Sequence, residues 1–144
     1  MKQPNSYSPE MQPAIRLIQY KFKEVEFHVK SDSSNSNDFG EIKVSLIFTP
    51  KIMSDSDGNI IEIEFQINIS NESNTLLLNC IASTMFETNG IIIEDITNHP
   101  LIVNNAPAIV FPYLRAFISN LTLQAGYSPL NLPAYNFTQL KNTN

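Results

Sequence analysis

Four stretches of apolar and polar alternation, followed by one stretch of helical spacing, organise this chain. The strictest is residues 60–70. Ile61, Ile63, Phe65, Ile67 and Ile69 take one phase, and Glu62, Glu64, Gln66, Asn68 and Ser70 take the other. Period two over that length predicts a strand with one buried and one wet face, as in an antiparallel sheet. Residues 41–49 alternate likewise, with Ile42, Val44, Leu46 and Phe48 in phase. Residues 14–30 are less regular: Ile15 and Leu17 share one phase, Ile18, Tyr20 and Phe22 the opposite, and Val25, Phe27 and Val29 switch back. An inward face that slips by one residue needs a bulge, so one long strand is expected with bends near Leu17 and near Lys23. Residues 75–87 form the fourth strand. Leu76, Leu77 and Leu78 run consecutively, the small residues Cys80, Ala82 and Thr84 share one face, and Ile81 and Met85 share the other. Apolar on both sides, this strand is expected to be covered on both.

Polar segments punctuate the strands. Residues 31–40 (SDSSNSNDFG) read as a loop, residues 54–59 as a turn with Asp-Gly at its centre, and residues 71–74 (NESN) as another turn. Residues 1–13 are polar and Pro-punctuated, a flexible arm in front of a single domain at 14–144. Residues 93–103 fit either a short helix or an irregular crossover. Asn105 is placed as an N-cap with Pro107 in the first turn, and helical spacing then continues to Ala125. Val110, Tyr113, Leu114, Phe117 and Leu121 make one stripe, widened by Ile109, Ala116 and Leu123, and Gly126 supplies the stop. Pro112 falls inside the helix, where it costs about 3 kcal/mol and predicts a kink. Pro129 and Pro133 then enforce an extended path carrying Tyr127, Leu130, Leu132, Tyr135 and Phe137.

Composition sharpens this picture. No acidic residue follows Asp95, and only Arg115 and Lys141 carry full charge from Ile96 onward. So much apolar surface must be covered by the sheet, by sister subunits or by an apolar ligand. Nine basic against fourteen acidic side chains give a net charge of -5, which disfavours nucleic acid and anionic membranes as partners. Cys80 is alone, so no disulfide framework or thiolate zinc cluster is expected. Residues 1–13 lack the apolar run of a secretory signal, and no run of about 18 apolar residues predicts a membrane span.

Chemistry is sparse. His28 and His99 have no partner at metal-ligand spacing, Asp55, Asp57 and Gly58 lack the closing Glu of a calcium loop, and Cys80 reads as a buried small hydrophobe. Glu62 and Glu64 share a polar strand face, which reads as solvated or as a dock for a basic partner. Arg115 is expected to cap a carbonyl or pair with a carboxylate. The four Asn-x-Ser/Thr sequons, at Asn68, Asn71, Asn120 and Asn136, read as chance in a chain this rich in Asn, Ser and Thr. Neither an enzyme nor a cofactor is indicated.

Phe111 to Phe137, FPYLRAFISNLTLQAGYSPLNLPAYNF, resembles the C-terminal signature of the SecB family of protein-export chaperones. It has Phe-Pro-Tyr-x-Arg, then Ile-Ser, then a Gly/aromatic-Pro-x-Leu-x-Leu turn, then Asn-Phe. The rest of the chain agrees in order: a long first strand, three further strands, one Cys in the fourth. The resemblance implies an α+β fold, a four-stranded antiparallel sheet with C-terminal helices packed on one face. It also implies a cytoplasmic homotetramer, a dimer of dimers, that holds unfolded polypeptides in apolar grooves. The groove would be drawn from Phe111, Phe117, Leu121, Tyr127, Leu130, Leu132, Tyr135 and Phe137. Subunit contacts would fall on Cys80, Ala82, Thr84, Tyr113 and Leu114, since the family's fourth strand contributes to them. Family members that hand clients to the SecA motor use acidic residues on the exposed sheet face; here Glu24, with Glu62 and Glu64, could dock such a partner. Departures stand beside these expectations. His28 is the next candidate on the first strand, Asn79 and Ile81 rather than acids flank Cys80, and Lys141 but no acid follows Phe137. A chaperone or adaptor dedicated to one partner, such as an antitoxin or mobile-element product, therefore stays open, as does a lipid-binding β protein.

Overall fold

The long first stretch folds as β1 (Ile15–Val29), followed by β2 (Ile42–Ile52), β3 (Ile60–Asn71) and β4 (Leu76–Thr88). They form one sheet in the order β1-β4-β3-β2, with antiparallel neighbours throughout. The computed structural model describes residues 14–30, 37–53, 60–89 and 95–133. The arm at 1–13, the turn at 54–59, Tyr135 and Phe137 lie outside the described residues.

Both slips of phase in β1 are real. Its register against β4 shifts between Leu17 and Gln19 and again between Phe22 and Glu24, leaving Ile18 and Lys23 as the extra residues. The two bulges let one strand keep its apolar side inward along its whole length. Tyr20 sits opposite Thr84, Phe22 opposite Ala82, Val25 opposite Cys80 and Phe27 opposite Leu78.

The inward face of β3 is the heart of the core. Ile61, Ile63, Phe65, Ile67 and Ile69 are all buried, as are Leu76, Leu78, Cys80, Ala82, Thr84 and Phe86 of β4. One helix covers them. It opens with a wide π turn at Leu101–Asn105 and continues as α1 (Ala106–Gln124). The ambiguous segment thus belongs partly to the helix, which starts before Asn105, and Asn105 makes no capping bond. The reason lies in Pro107. It has no N–H to give, and its ring would press on the carbonyl four residues back. The π turn relieves this, with the Ala106 N–H bonding to the Leu101 carbonyl. His99 does the capping instead, its Nδ1 accepting the Leu101 N–H at 3.2 Å.

The buried stripe of the helix is Ile102, Ala106, Val110, Leu114 and Ile118, with Phe111 and Thr122 beside it. That is rotated from the stripe expected from hydrophobicity. Ile118 is buried, whereas Tyr113, Ala116 and Leu123 are exposed. Apolar residues surround this helix almost completely, so their spacing alone does not choose a face. The helix runs unbroken through Pro112, which is exposed, as is Ala108, whose carbonyl loses its helical donor. Each fully buried Ile or Leu contributes roughly 1.5–3 kcal/mol, so the stripe outweighs the proline penalty of about 3 kcal/mol.

Candidate polypeptide-binding groove and interaction faces

Gly126 ends the helix as its sequence position suggests. It adopts φ +100, a conformation open to glycine, and so turns the chain back. The Gly126 N–H bonds to the Leu123 carbonyl and the Tyr127 N–H to the Thr122 carbonyl, the paired bonds of a Schellman stop. Leu130 and Leu132 then plug into the core at 5% and 1% exposure. Thr122 fastens this exit segment. Its buried hydroxyl donates to the Ile118 carbonyl at 2.9 Å and accepts the Leu130 N–H at 2.9 Å.

With the exit segment fixed, Tyr127 is held half-buried between two other rings. Phe27, near the end of β1, meets it edge to face at 6.0 Å, and Phe39, just before β2, meets it at 5.2 Å. The Ser128 N–H donates to the Asn37 carbonyl at 3.1 Å, joining the exit segment to the chain that crosses from β1 to β2. Beside this junction lies a cavity of about 120 Å³ lined by Phe39, Ile42, Pro129 and Leu130 with Asp38 and Asn131 at its polar side. Its lining is mainly polar, with Asp38, Ser128 and Asn131 offering hydrogen bonds to the backbone of an extended chain, while the apolar surface at this junction is that of the three rings.

Several expected groove residues are elsewhere. Phe111 and Leu132 are buried within one chain, and Leu130, 5% exposed, lines only the small cavity beside Phe39. Phe117 is half-buried and stacks on Phe22 at 3.9 Å, and Leu121 is half-buried on the same helix. Phe117 and Phe22 join Tyr20 and Tyr113, 4.7 Å apart, in an aromatic seam between β1 and α1. Phe27 and Phe39 were not anticipated as groove walls. Phe39 had a readable signal, a lone aromatic ring in an otherwise polar loop.

Four of the five residues expected at subunit contacts are buried within the single chain. Cys80, Ala82, Thr84 and Leu114 are at most 1% exposed, Cys80 and Ala82 in one buried cluster with the inner residues of α1. Small side chains there give the helix its seat. Thr84 is further tied down, its hydroxyl donating to the Ile63 carbonyl at 2.6 Å. Burial pushes the Cys80 thiol up from 9.0 to about 11, which removes it as a nucleophile near neutral pH. Tyr113 stays 43% exposed at the edge of the aromatic seam, and the outer helix face carries Pro112, Ala116 and the 51% exposed Leu123. Arg115 lies 5.9 Å over the Phe111 ring, a cation–π contact rather than a carbonyl cap. By length and hydropathy, Leu101–Gln124 could cross a bilayer. Its buried stripe, packed on the sheet, is the ordinary reason for such an apolar helix.

The other sheet face carries the acidic candidates and is not covered by any described element. Glu24 sits opposite Ile81, and Glu64 opposite Ser83. Both line a depression around Ile81 with Lys23, whose Nζ pairs with Glu64 at 3.1 Å. Glu62 lies further along β3, opposite Met85. Glu26 was missed: it joins the same face and accepts a bond from the Asn79 amide at 3.4 Å. Among the described residues no group of three or more His, Cys, Asp or Glu side chains is arranged to hold a metal.

Known proteins share this architecture. In the Rv1957 SecB-like chaperone of Mycobacterium tuberculosis, solved in complex with a ChAD peptide from the Rv1956 HigA1 antitoxin, the fold superposes with a TM-score of 0.63 at 13% identity. That match covers 84% of this chain and 90% of the other. A Streptococcus agalactiae protein of unknown function matches with a TM-score of 0.59 at 12% identity, over 86% of this chain and all of that one. The protein-export protein SecB of Ruegeria pomeroyi is 40% identical over 42 residues, 29% of this chain and 26% of its own length. That of a Jannaschia species is also 40% identical, over 29% of this chain and 25% of its own. The alignment thus spans about a quarter of these curated relatives. The family model described as preprotein translocase subunit SecB matches residues 8–144, and the chain therefore belongs to the SecB family.

Proposed function

We propose that this protein is a cytoplasmic holding chaperone that keeps unfolded polypeptides from collapsing by binding them in apolar grooves of a homo-oligomer. The observation that carries the reading is the half-buried ring cluster Phe27, Phe39 and Tyr127, fixed in place by the Thr122 and Ser128 bonds. SecB-family membership supports it, since members of that family are chaperones rather than enzymes. Tyr135 and Phe137 continue the same aromatic-rich segment in sequence and are part of the proposed client surface.

Magnitudes make assembly part of the activity. A groove that removes about 400 Å² of apolar surface from water gains about 10 kcal/mol gross. Association costs of about 4–15 kcal/mol offset most of that. Several grooves on one assembly, engaging one long chain, raise the affinity by effective concentration and select against folded proteins. The exposed apolar residues of α1, Leu123 and Tyr113 among them, form the surface proposed to join copies into a dimer of dimers. Mass by light scattering, alone and with a denatured protein, tests this. A tetramer that suppresses aggregation of several unrelated clients is the expected result. A monomer that ignores denatured protein overturns it.

A second reading is favoured by two observations: the antitoxin-peptide complex of the Mycobacterium tuberculosis neighbour, and the pairing of Lys23 with Glu64 on the face proposed to dock SecA. In that reading the chain serves one dedicated partner. A pull-down with SecA, repeated with Glu24→Lys, separates the branches: SecA bound and then weakened supports export delivery, and no SecA bound leaves the dedicated chaperone.

A further inference from the structure

We propose that Asn71 is the positioning residue of the groove, setting where the Phe39 wall stands against Tyr127; this rests on the reading of the Phe27, Phe39 and Tyr127 cluster as the client site. Asn71 closes β3 and is 2% exposed. Its amide fills every hydrogen-bonding position it has. Oδ1 accepts the Thr75 and Leu76 N–H groups, each at 3.0 Å. Nδ2 donates to the Thr75 hydroxyl at 2.8 Å and to the Phe39 carbonyl at 3.0 Å. Three of these bonds serve the turn between β3 and β4, in which Asn74 adopts φ +55. The fourth leaves the hairpin and holds a residue 32 positions earlier in the chain.

That fourth bond falls where the client wall is built. Phe39 is followed by Gly40 at φ +71, a turn at which the backbone has little steric restraint of its own. The Gly40 N–H bonds to Asp38 Oδ1, which shapes the turn without tying it to the sheet. Asn71 supplies such a tie, from a rigid and fully buried donor. With the tie intact, Phe39 is ordered before a client arrives. Without it, part of the ordering falls on binding, and affinity drops by about tenfold.

Asn71→Asp tests this narrowly. A carboxylate of nearly the same shape still accepts from the Thr75 and Leu76 N–H groups and can accept from the Thr75 hydroxyl once that turns to donate, but it cannot donate to the Phe39 carbonyl. The probe is a reduced, carboxymethylated, permanently unfolded protein carrying a fluorescent label, with Tyr127→Ala measured alongside. The expected result is about tenfold weaker binding by Asn71→Asp, faster amide exchange at Ser128 and a still cooperative unfolding transition. Folded Asn71→Asp that binds like the unaltered protein, while Tyr127→Ala does not bind, overturns the positioning role and leaves the groove standing. Tyr127→Ala that binds normally removes the groove reading and this proposal with it. Asn71→Ser, too short to reach Phe39, is the second variant. Where neither folds, the side-chain NH₂ signals of Asn71 in the unaltered protein decide. Side-chain protons already protected from exchange before client is added support the proposal, and freely exchanging ones overturn it.

Discussion

Ala82→Leu distinguishes a seat for α1 from a seat for another subunit. Ala82 is 1% exposed, with Phe22 opposite it on β1 and Phe65 opposite it on β3. Phe22 is in turn stacked on Phe117 at 3.9 Å, so its ring has nowhere to retreat. Leucine adds three carbons. In open space their burial would gain about 2 kcal/mol at about 0.8 kcal/mol per methylene. In a filled site, side chains are forced off their rotamers, and overpacking costs about 1–3 kcal/mol. The upper half of that range is expected here, since rings crowd the residue from two strands. With a urea slope of about 2 kcal/mol/M, the unfolding midpoint falls by about 1 M. Urea unfolding followed by far-UV circular dichroism at two protein concentrations, beside light-scattering mass, is the assay. A core site lowers the midpoint by the same amount at both concentrations. An interface site makes the loss grow on dilution, because the linkage runs through assembly. An unchanged midpoint with a dissociated assembly refutes the placement of the small row beneath the helix.

Phe117→Asp or Leu121→Asp puts a charge on the half-buried flank of α1, and loss of assembly or of folding is expected by size-exclusion chromatography; soluble, fully assembled variants contradict the packing. Thr122→Val keeps the shape of the side chain but leaves the Leu130 N–H without its acceptor, at a cost of about 1–3 kcal/mol read from thermal or urea unfolding. Cys80, with its thiol raised to about 11, is expected to resist a thiol reagent at pH 8 until the protein is denatured. The same shift makes the folded state hold its proton more tightly than the unfolded state. Its contribution to stability is therefore full below pH 9 and is lost as pH rises through about 11, a window that Cys80→Ser removes from an alkaline unfolding series.

What the sequence disclosed and what it hid divide along physical lines. Period two is a local signal, and it located all four strands, including the two bulges of β1, because a phase slip in one strand is visible without its partner. Partner choice is not local. Nothing in residues 14–30 says that they pair with 76–88, and only the pairing reveals that Tyr20 and Phe22 face the helix. The small row of β4 shows the same division. Its smallness signals close approach by something, but an approaching helix and an approaching subunit leave the same mark on the chain. The helix face failed for a related reason: with apolar residues on nearly every side, the sheet selects the stripe, and here it selected Ile118 over Tyr113. The proposed groove was half legible. Tyr127 could be placed because Gly126 and Pro129 force an exit from the helix, whereas Phe27 and Phe39 reach it only through the strand order that carries the chain from one sheet edge to the other. Its polar supports were the least legible, since Asn71 reads as a turn residue and Thr122 as a helix-surface residue until their partners are known. A groove proposed to accept many sequences cannot rely on specific side-chain chemistry in its walls. Its precision has to reside in the buried polar residues behind them, where hydrogen bonds fix the backbone of each wall.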